Sequence, residues 1–181
     1  ILQAAGLRTG LYTSPYLVQF YERIRIDGTM ISNDDLTHYS ERVAVACESL
    51  TLPDGESIGE FEFTTAVAFL YFAEHGCDIV VLETGLGGRC DATNVIRAPE
   101  VCVITPVSLD HMAVLGDTVA EIAGEKAGII KPGAEVVCAD GQEEDALAVF
   151  RHVTAAEGAV WHESTDTLRV LRCSLNGSAF V

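Results

Sequence analysis

The chain has 181 residues, of which 49% are hydrophobic and 21% are charged. This composition is enough for one domain with a core and excludes a disordered chain. Eleven lysine and arginine residues against 27 aspartate and glutamate residues give a net charge of −16, so we expect no nucleic-acid partner. No apolar run approaches the roughly 20 residues of a membrane span, so no membrane partner is expected either.

The six cysteines stand at positions 47, 77, 90, 102, 138 and 173, and none forms the Cys-x-x-Cys spacing of a zinc or redox site. Cys77, Cys102 and Cys138 lie in or beside apolar runs, where a free cysteine behaves as a small hydrophobic residue. The pattern predicts a reduced, cytoplasmic protein without disulfides or structural zinc.

Both ends of the sequence look like interrupted elements. Residues 1–6 resemble the last turns of a helix closed by Gly6, and there is no initiator methionine. Near the other end, Asn176 and Gly177 form a strong turn signal between alternating residues. We therefore expect the chain to be a piece of a longer polypeptide.

The first half of the chain predicts two short strands and two helices. Residues 9–13 are β-prone and end at a Ser-Pro pair, and residues 23–28 alternate before a turn pair, which predicts a half-exposed strand. A capped helix is expected from residue 32 to about residue 50. Residues 61–75 predict an apolar helix that is buried against a sheet and closed by Gly76.

The second half alternates between continuous apolar strands and helices. This alternation is typical of an α/β fold with a mostly parallel sheet and helices on both of its faces. From residue 160 onwards, short alternating segments predict a small antiparallel sheet. The predicted strands are residues 78–83, 101–105 and 135–138, and the predicted helices are residues 119–130 and 145–157.

Ligands of an open parallel sheet bind beyond the carboxyl ends of its strands, so the residues that follow the strands are candidates. Glu83 ends one strand, and His111 follows the next. Oxygen donors in this place favour a hard cation such as Mg²⁺. The structural alternatives are an ion pair of Glu83 with Arg89 or a helix N-terminus, and a hydrogen-bonded structural role for His111. Spacing alone leaves both open.

A glycine-rich loop follows Glu83 but matches neither common nucleotide-binding pattern. Cys90 stands where a dinucleotide-binding loop needs its third glycine, and no Gly-Lys pair of a phosphate-binding loop occurs in the chain. Lys126 is one of two lysines. It is either a surface lysine at a helix C-terminus or a group for phosphate contact or chemical modification, and its spacing does not decide between these.

Taken together, the motifs resemble the folylpolyglutamate synthase/dihydrofolate synthase family of the Mur ligase superfamily. The two most specific motifs are Leu-Glu-Thr-Gly-Leu-Gly-Gly-Arg-x-Asp-Ala-Thr-Asn and Gly-Glu-Lys-Ala-Gly-Ile-Ile-Lys-Pro-Gly. The matching stretches, in the family's order, are residues 11–18, 22–25, 61–64, 82–94, 109–111 and 124–132. The resemblance implies an incomplete, P-loop-NTPase-like central ATP-binding domain over residues 1–158. The start of its small antiparallel β subregion would follow over residues 159–181.

The resemblance further implies a ligase that uses ATP and Mg²⁺ to add L-glutamate to a folate or to dihydropteroate through an acyl phosphate. The positions that match the family's functional residues fall into three groups. The magnesium positions are Ser14, Glu83 and His111, the carbamylated lysine is Lys126, and the pterin-binding positions are Phe61, Glu62, Cys90, Asp91 and Ala92.

Three further features follow from the same resemblance. Arg23 is an implied substrate contact, because Arg23 and Arg25 match a mobile loop that covers the site in the family. Tyr16 replaces the usual histidine after Ser-Pro, which changes the local contacts of this loop. The family's Gly-Lys-Ser/Thr phosphate loop and its C-terminal domain are absent from the sequence. We therefore expect this chain to be inactive alone. For the full-length enzyme, the resemblance implies a monomer.

Two other functions remain open at this point. One is another Mur-type amide ligase, such as a cell-wall amino-acid ligase, against which the Phe-Glu-Phe-Thr motif and the Ser-Pro loop favour the folate branch. The other is a non-catalytic α/β binding module that has lost ATP. The missing phosphate loop fits such a module, but the module does not need Glu83, His111 and Lys126.

Overall fold

The computed structural model describes residues 1–163, 170–174 and 177–180, which form two compact units. The first unit comprises residues 1–86 and 91–95, and the second contains residues 87–90 and those from 96 onwards. The α-helices are α1 (Asn33–Glu48), α2 (Glu60–Glu74), α3 (Met112–Leu115), α4 (Val119–Lys126) and α5 (Glu144–Ala156). The strands are β1 (Thr9–Tyr12), β2 (Ile24–Ile26), β3 (Thr29–Met30), β4 (Ile79–Leu82), β5 (Val101–Ile104), β6 (Glu135–Cys138), β7 (Val160–Glu163), β8 (Val170–Ser174) and β9 (Gly177–Phe180).

The first unit is built on a four-stranded mixed sheet in the order β3-β2-β1-β4. Strand β1 runs antiparallel to β2 and parallel to β4. The turn between β2 and β3 uses Asp27 and Gly28, whose φ angles of 49° and 79° lie in the left-handed region. Positive φ at both positions is the geometry of a tight hairpin turn, as the Asp-Gly pair predicts.

Helices α1 and α2 pack on each other in this unit. Helix α1 begins where the sequence predicts, because the Ser32 side chain accepts a hydrogen bond from the Asp35 backbone amide. The two helices are also joined by Arg42, whose guanidinium donates to both carboxylate oxygens of Glu74 at 2.7 and 2.6 Å. The core beneath them is apolar and consists of Tyr12, Ile24, Ile26, Ile31, Tyr39, Val43, Val67, Ala68, Tyr71 and Phe72.

The second unit has a three-stranded parallel sheet in the order β5-β6-β7. Its buried core combines alternate residues of the strands, such as Cys102 and Ile104 of β5, with Ile122 of α4 and Phe150 of α5. The parallel pairing and the strand–helix alternation confirm the predicted α/β class. Strands β8 and β9 add an antiparallel pair, while Leu175 and Asn176 of the predicted turn lie outside the described residues.

The pairing of β7 differs from the sequence-based prediction. The expected antiparallel sheet from residue 160 onwards is confirmed for β8 and β9, but β7 pairs parallel to β6, with Val136 opposite Trp161. Alternation in β7 arises because the exposed Val160 and His162 flank Trp161, which packs against the core. An edge strand of a parallel sheet and a strand of an antiparallel sheet can therefore show the same pattern.

Among the described residues, no helix combines the length and the apolar character that a membrane crossing requires.

The close contact between β1 and α2 leaves no space for a side chain at Gly10, so we expect a larger residue there to destabilise the protein. A Cβ atom at Gly10 would lie 2.9 Å from Cδ1 of Phe72, whose side chain is buried. We expect Gly10→Ala to lower the free energy of unfolding by about 1–3 kcal/mol, because the ring must shift inside a packed core. Urea denaturation measures this change. The matched control is Gly124→Ala in α4, where an added Cβ meets nothing within 4 Å; equal destabilisation by both changes would contradict the prediction.

Candidate functional site

Two predicted metal positions meet at the carboxyl ends of β1 and β4. The parallel register places Tyr12 opposite Leu82, so the residues that follow the two strands are neighbours. The Ser14 backbone amide donates to Oε2 of Glu83 at 2.7 Å, and the Glu83 amide donates to the Tyr12 carbonyl at 2.9 Å. The structure therefore brings Ser14 and Glu83 together in the first unit and supplies a carboxylate beside a hydroxyl-bearing residue.

His111, the third predicted metal position, lies in the second unit. Its backbone adopts a left-handed conformation with φ 51° and ψ 36°, directly before α3. Such a conformation is uncommon for a residue other than glycine, and strained backbone of this kind is concentrated at functional sites. The side chain is 60% exposed, with Nε2 3.7 Å from Oδ2 of Asp110. Joint ligation of one ion by Ser14, Glu83 and His111 stays a prediction.

Two of the three predicted metal positions offer oxygen donors, which suit magnesium, whereas the imidazole of the third is a ligand more typical of softer transition metals. Within residues 1–163, 170–174 and 177–180, no group of three or more His, Cys, Asp or Glu side chains is arranged to hold a metal ion. The predicted set instead combines one carboxylate, one hydroxyl and one imidazole. Mg²⁺ is commonly held by one or two carboxylates together with phosphate oxygens and water, so Glu83 fits as its protein anchor.

The first part of the glycine loop is organised by Asp91. One carboxylate oxygen, Oδ2, accepts from the backbone amides of Gly85 and Leu86 at 3.0 and 2.9 Å. The other, Oδ1, accepts from the backbone amide and the hydroxyl of Thr93 at 2.9 and 2.6 Å. Asp91 thus receives four hydrogen bonds from its own loop, which holds the loop in one conformation.

Phe61, another predicted pterin-binding residue, lies against the same loop. A Cβ atom at Gly85 would be 2.6 Å from Cζ of Phe61 and 3.1 Å from Oδ2 of Asp91. The ring centroid of Phe61 also lies 5.8 Å from that of Tyr12. The structure therefore brings Phe61 and Asp91 together around Gly85. An aromatic ring and a polar group in this arrangement can bind a flat heterocycle.

The remaining predicted pterin positions have simpler surroundings. Glu62 accepts a hydrogen bond from the Gly59 amide at 2.7 Å, which caps the start of α2. Cys90 is exposed, and Ala92 begins a 3₁₀ turn that extends to Val95. Contact of these residues with a substrate stays a prediction.

Arg23 is a largely covered cation in the first unit. Its guanidinium carbon lies 5.3 Å from the ring centroid of Tyr16 and 5.4 Å from that of Phe20, and its side chain is 12% exposed. Its buried Nε has no hydrogen-bond partner among the described residues. Burial raises the pKa of the neighbouring Tyr12 hydroxyl, whereas its hydrogen bonds with Thr65 and Arg23 and the charge of Arg23 act in the opposite direction. Arg23 thus holds positive charge among aromatic rings.

Sequence reasoning missed the role of Glu22 in this loop. Its carboxylate accepts from three consecutive backbone amides, those of Leu17, Val18 and Gln19, at 2.9–3.1 Å. These hydrogen bonds lower the pKa of Glu22. The sequence signal for this role is the spacing of Glu22 three residues after Gln19, which is typical of a capping box, and the structure joins these two residues in such an arrangement.

The second unit contains Lys126 and the other part of the glycine loop. Lys126 is the last residue of α4, and a 3₁₀ turn over Ala127–Ile129 follows it. Arg89 pairs with Glu125, with Nε 3.2 Å from Oε1. Sequence reasoning weighed Arg89 only as a partner of Glu83, because a partner 36 residues further along the chain leaves no local pattern.

Comparisons with known proteins agree on one family, although no protein-family model matches the chain. The dihydrofolate synthase/folylpolyglutamate synthase of Bacillus subtilis (strain 168) is 47% identical over 167 residues, covering 92% of this chain and 38% of the relative. This chain belongs to the folylpolyglutamate synthase/dihydrofolate synthase family. The folylpolyglutamate synthase of Lacticaseibacillus casei is 41% identical over 98% of the chain and 41% of the relative.

Solved structures of the family show the same fold. The S73A mutant of the L. casei enzyme superimposes with a TM-score of 0.88 at 40% identity, over 99% of this chain and 44% of that one. The Thermotoga maritima folylpolyglutamate synthase gives a TM-score of 0.86 at 36% identity, over 99% and 41% of the two chains. The chain thus spans about two-fifths of the length of the relatives it matches.

We predict that Asp91 determines the stability of the glycine loop. Asp91→Asn keeps the shape of the side chain but presents an amide NH₂ group to amides that need an acceptor. We expect a loss of about 1–3 kcal/mol in the free energy of unfolding, measured by urea denaturation. Cys90→Ala, at the exposed neighbouring position, is the control and should change stability by less than about 0.5 kcal/mol. An unchanged Asp91→Asn protein would refute this role.

We also predict pH-dependent order in the loop around Glu22. Because its folded-state pKa lies below the ordinary value of 4.5, its stabilising effect is present above that value and is lost as the pH falls through the folded-state pKa. Amide hydrogen exchange of Leu17, Val18 and Gln19 should show protection relative to Glu22→Gln at neutral pH and none at low pH. Glu56→Gln in an exposed loop should change nothing, and equal protection in wild type and Glu22→Gln at neutral pH would exclude the mechanism.

Proposed function

We propose that this chain forms part of an ATP- and Mg²⁺-dependent ligase that adds L-glutamate to a folate, with dihydropteroate as the second acceptor. The observation that carries the proposal is the contact of Ser14 with Glu83 at the joined ends of β1 and β4, within a chain of this family. A solved FPGS–AMPPCP–folate complex at 39% identity and a TM-score of 0.83 covers 99% of this chain, which supports ATP and a folate as substrates.

The proposed chemistry proceeds in two balanced steps. A carboxylate oxygen of the acceptor attacks the γ-phosphorus of ATP, the bond from this phosphorus to the β–γ bridging oxygen breaks, and ADP leaves with its electron pair. The amine of glutamate then attacks the carbonyl carbon of the acyl phosphate, inorganic phosphate leaves, and the amine loses a proton. Such transfers depend mainly on positioning and on neutralising phosphate charge.

Different residues of this chain would bind the metal ion and the substrate. Ser14, Glu83 and His111 would hold Mg²⁺, which when bound neutralises phosphate charge. Phe61 and Asp91, with Glu62, Cys90 and Ala92, would hold the pterin, and Arg23 would place positive charge beside an anionic acceptor. We propose that the protein acts in the cytoplasm, which suits the free thiols of this chain, and that the full-length enzyme is a monomer.

Lys126 would carry a carbamate in this proposal. Its neutral amine adds to the carbon of CO₂, a new N–C bond forms, and one proton leaves to solvent, so that a cationic side chain becomes an anionic oxygen donor. Such a group can hold a metal ion or its water ligands where an ammonium group would repel it. Lys131 is the only other lysine, and it serves as a matched control.

A glutamate-incorporation assay tests the proposal on the complete polypeptide that contains this sequence. We expect ATP-dependent addition of labelled glutamate to a reduced folate, loss of activity in EDTA, and restoration by Mg²⁺. Lys126→Arg should lower kcat by about 10²-fold or more, because the arginine cannot form the carbamate and places a cation at an anionic position. Lys131→Arg should retain activity.

The same assay separates the alternatives. Turnover of a muramyl peptide without turnover of folate would identify another Mur-type amide ligase, and binding of folate without ATP hydrolysis would identify a binding module. The isolated 181-residue chain should show no turnover, because it has no Gly-Lys phosphate-binding loop. Equal loss of activity in Lys126→Arg and Lys131→Arg would refute the role of Lys126.

A further inference from the structure

The backbone pairing of β5 with β6 ends just before Pro106. The parallel register ends at Ile104, whose carbonyl accepts one further hydrogen bond from the Ala139 amide at 2.8 Å. Pro106 has no amide hydrogen, so it cannot donate to a neighbouring strand. The Thr105 carbonyl and the Val107 amide flank this proline, and both need partners where the sheet ends.

The side-chain amide of Gln142 bonds to both of these backbone groups. Its Nε2 donates to the Thr105 carbonyl at 2.9 Å, and its Oε1 accepts from the Val107 amide at 3.0 Å. Only this orientation of the side-chain amide gives each backbone group a partner of the right kind. Gln142 thus takes the place of a strand partner around Pro106.

His111 lies halfway between two buried anchors of the chain. Val107, which is 5% exposed, precedes it by four residues, and Leu115, which is 7% exposed, follows it by four residues. Both anchors belong to the core of the second unit, whereas the residues between them are exposed. The His111 carbonyl accepts from the amides of Val114 and Leu115 at 2.9 and 3.0 Å, which ties His111 to the second anchor.

The short helix α3 cannot hold His111 in place by itself. It has four residues, and a helix of this length has little stability without tertiary contacts. The left-handed backbone conformation of His111 persists only where the surrounding structure imposes it. The place of His111 therefore depends on both ends of the segment: Leu115 fixes one end, and Val107 with Gln142 fixes the other.

We infer that Gln142 is a positioning residue for His111. Its amide fixes the direction in which the chain leaves β5, and this direction sets the place of His111 before α3. Glutamine suits this task because its side-chain amide is both a donor and an acceptor and carries no charge. The metal-binding use of His111 rests on the proposed function, whereas its positioning by Gln142 rests on the contacts of the protein alone.

Amide hydrogen exchange at residue resolution tests this inference on the complete polypeptide that contains this sequence, without metal or substrate. Gln142→Met keeps the length of the side chain but removes both hydrogen bonds. We expect exchange at Val107 to rise about tenfold, because its amide loses its acceptor. Exchange at Val114 and Leu115, whose amides bond to the His111 carbonyl, should rise about three- to tenfold as the segment loosens.

Glu143→Met, the same replacement at the exposed neighbouring position, is the matched control and should leave all three exchange rates unchanged. A rise at Val107 alone would limit Gln142 to a local structural role, and unchanged rates would exclude any role; either result overturns the inference. If exchange at the core residue Phe150 also rises, the variant has lost its fold, and Gln142→Asn then decides. Its amide is one methylene shorter and cannot bond to both groups, so we expect the same pattern, and wild-type rates would overturn the inference.

The Mg²⁺ dependence of glutamate incorporation separates this inference from the proposed function. If His111 is a metal ligand, Gln142→Met should raise the Mg²⁺ concentration for half-maximal activity about tenfold, whereas Glu143→Met should not. Faster exchange at Val114 and Leu115 with an unchanged Mg²⁺ dependence would support the positioning role and argue against His111 as a metal ligand. The two proposals therefore fail separately.

Discussion

The parallel pairing of β1 with β4 is the constraint on which the first unit depends. Backbone hydrogen bonds fix the register from Thr9 opposite Ile79 to Tyr12 opposite Leu82. A slip of one residue would turn every side chain of a strand to the other face, moving Tyr12 out of the core. The register also sets the contact of Ser14 with Glu83, so packing in the core and the geometry at the strand ends share one cause.

The second constraint is the short distance between packed segments, which glycines make possible. Gly85 lets Phe61 lie against the loop, and Gly88 and Gly128 let the loop touch the end of α4 in the second unit. Asp91 and Arg89 then lock these contacts with hydrogen bonds and an ion pair. The glycines allow the backbone segments to approach each other, and charged residues near them in the sequence hold the segments in place.

Local patterns account for the parts that sequence reasoning predicted well. Ser32 starts α1 through a side-chain cap, and the Asp-Gly pair makes the turn after β2, because these signals act over two or three residues. Continuous apolar runs in the sequence predicted β4, β5 and β6, because such a run is also a local signal. Glu83 was recognised as a candidate because it stands at the end of a strand, whereas Ser14 was assigned by the family resemblance.

Long-range choices were beyond the sequence pattern. The parallel pairing of β7 depends on its neighbour β6 and not on its own alternation. Arg89 has two possible acidic partners, Glu83 and Glu125, and the structure shows its pairing with Glu125. Arg23 looked like a loop cation, yet the rings of Tyr16 and Phe20 cover it. Tertiary packing decides each of these cases.

Strand β5 has a consequence for the colloidal behaviour of the isolated chain. Val101 and Val103 are 51% and 60% exposed, and they form adjacent apolar positions on one side of the strand. Exposed valines on a strand favour association between molecules, whereas the net charge of −16 opposes it at neutral pH. Acidification towards the isoelectric point near 4.5 removes that repulsion while the valines remain, so attraction between molecules then dominates.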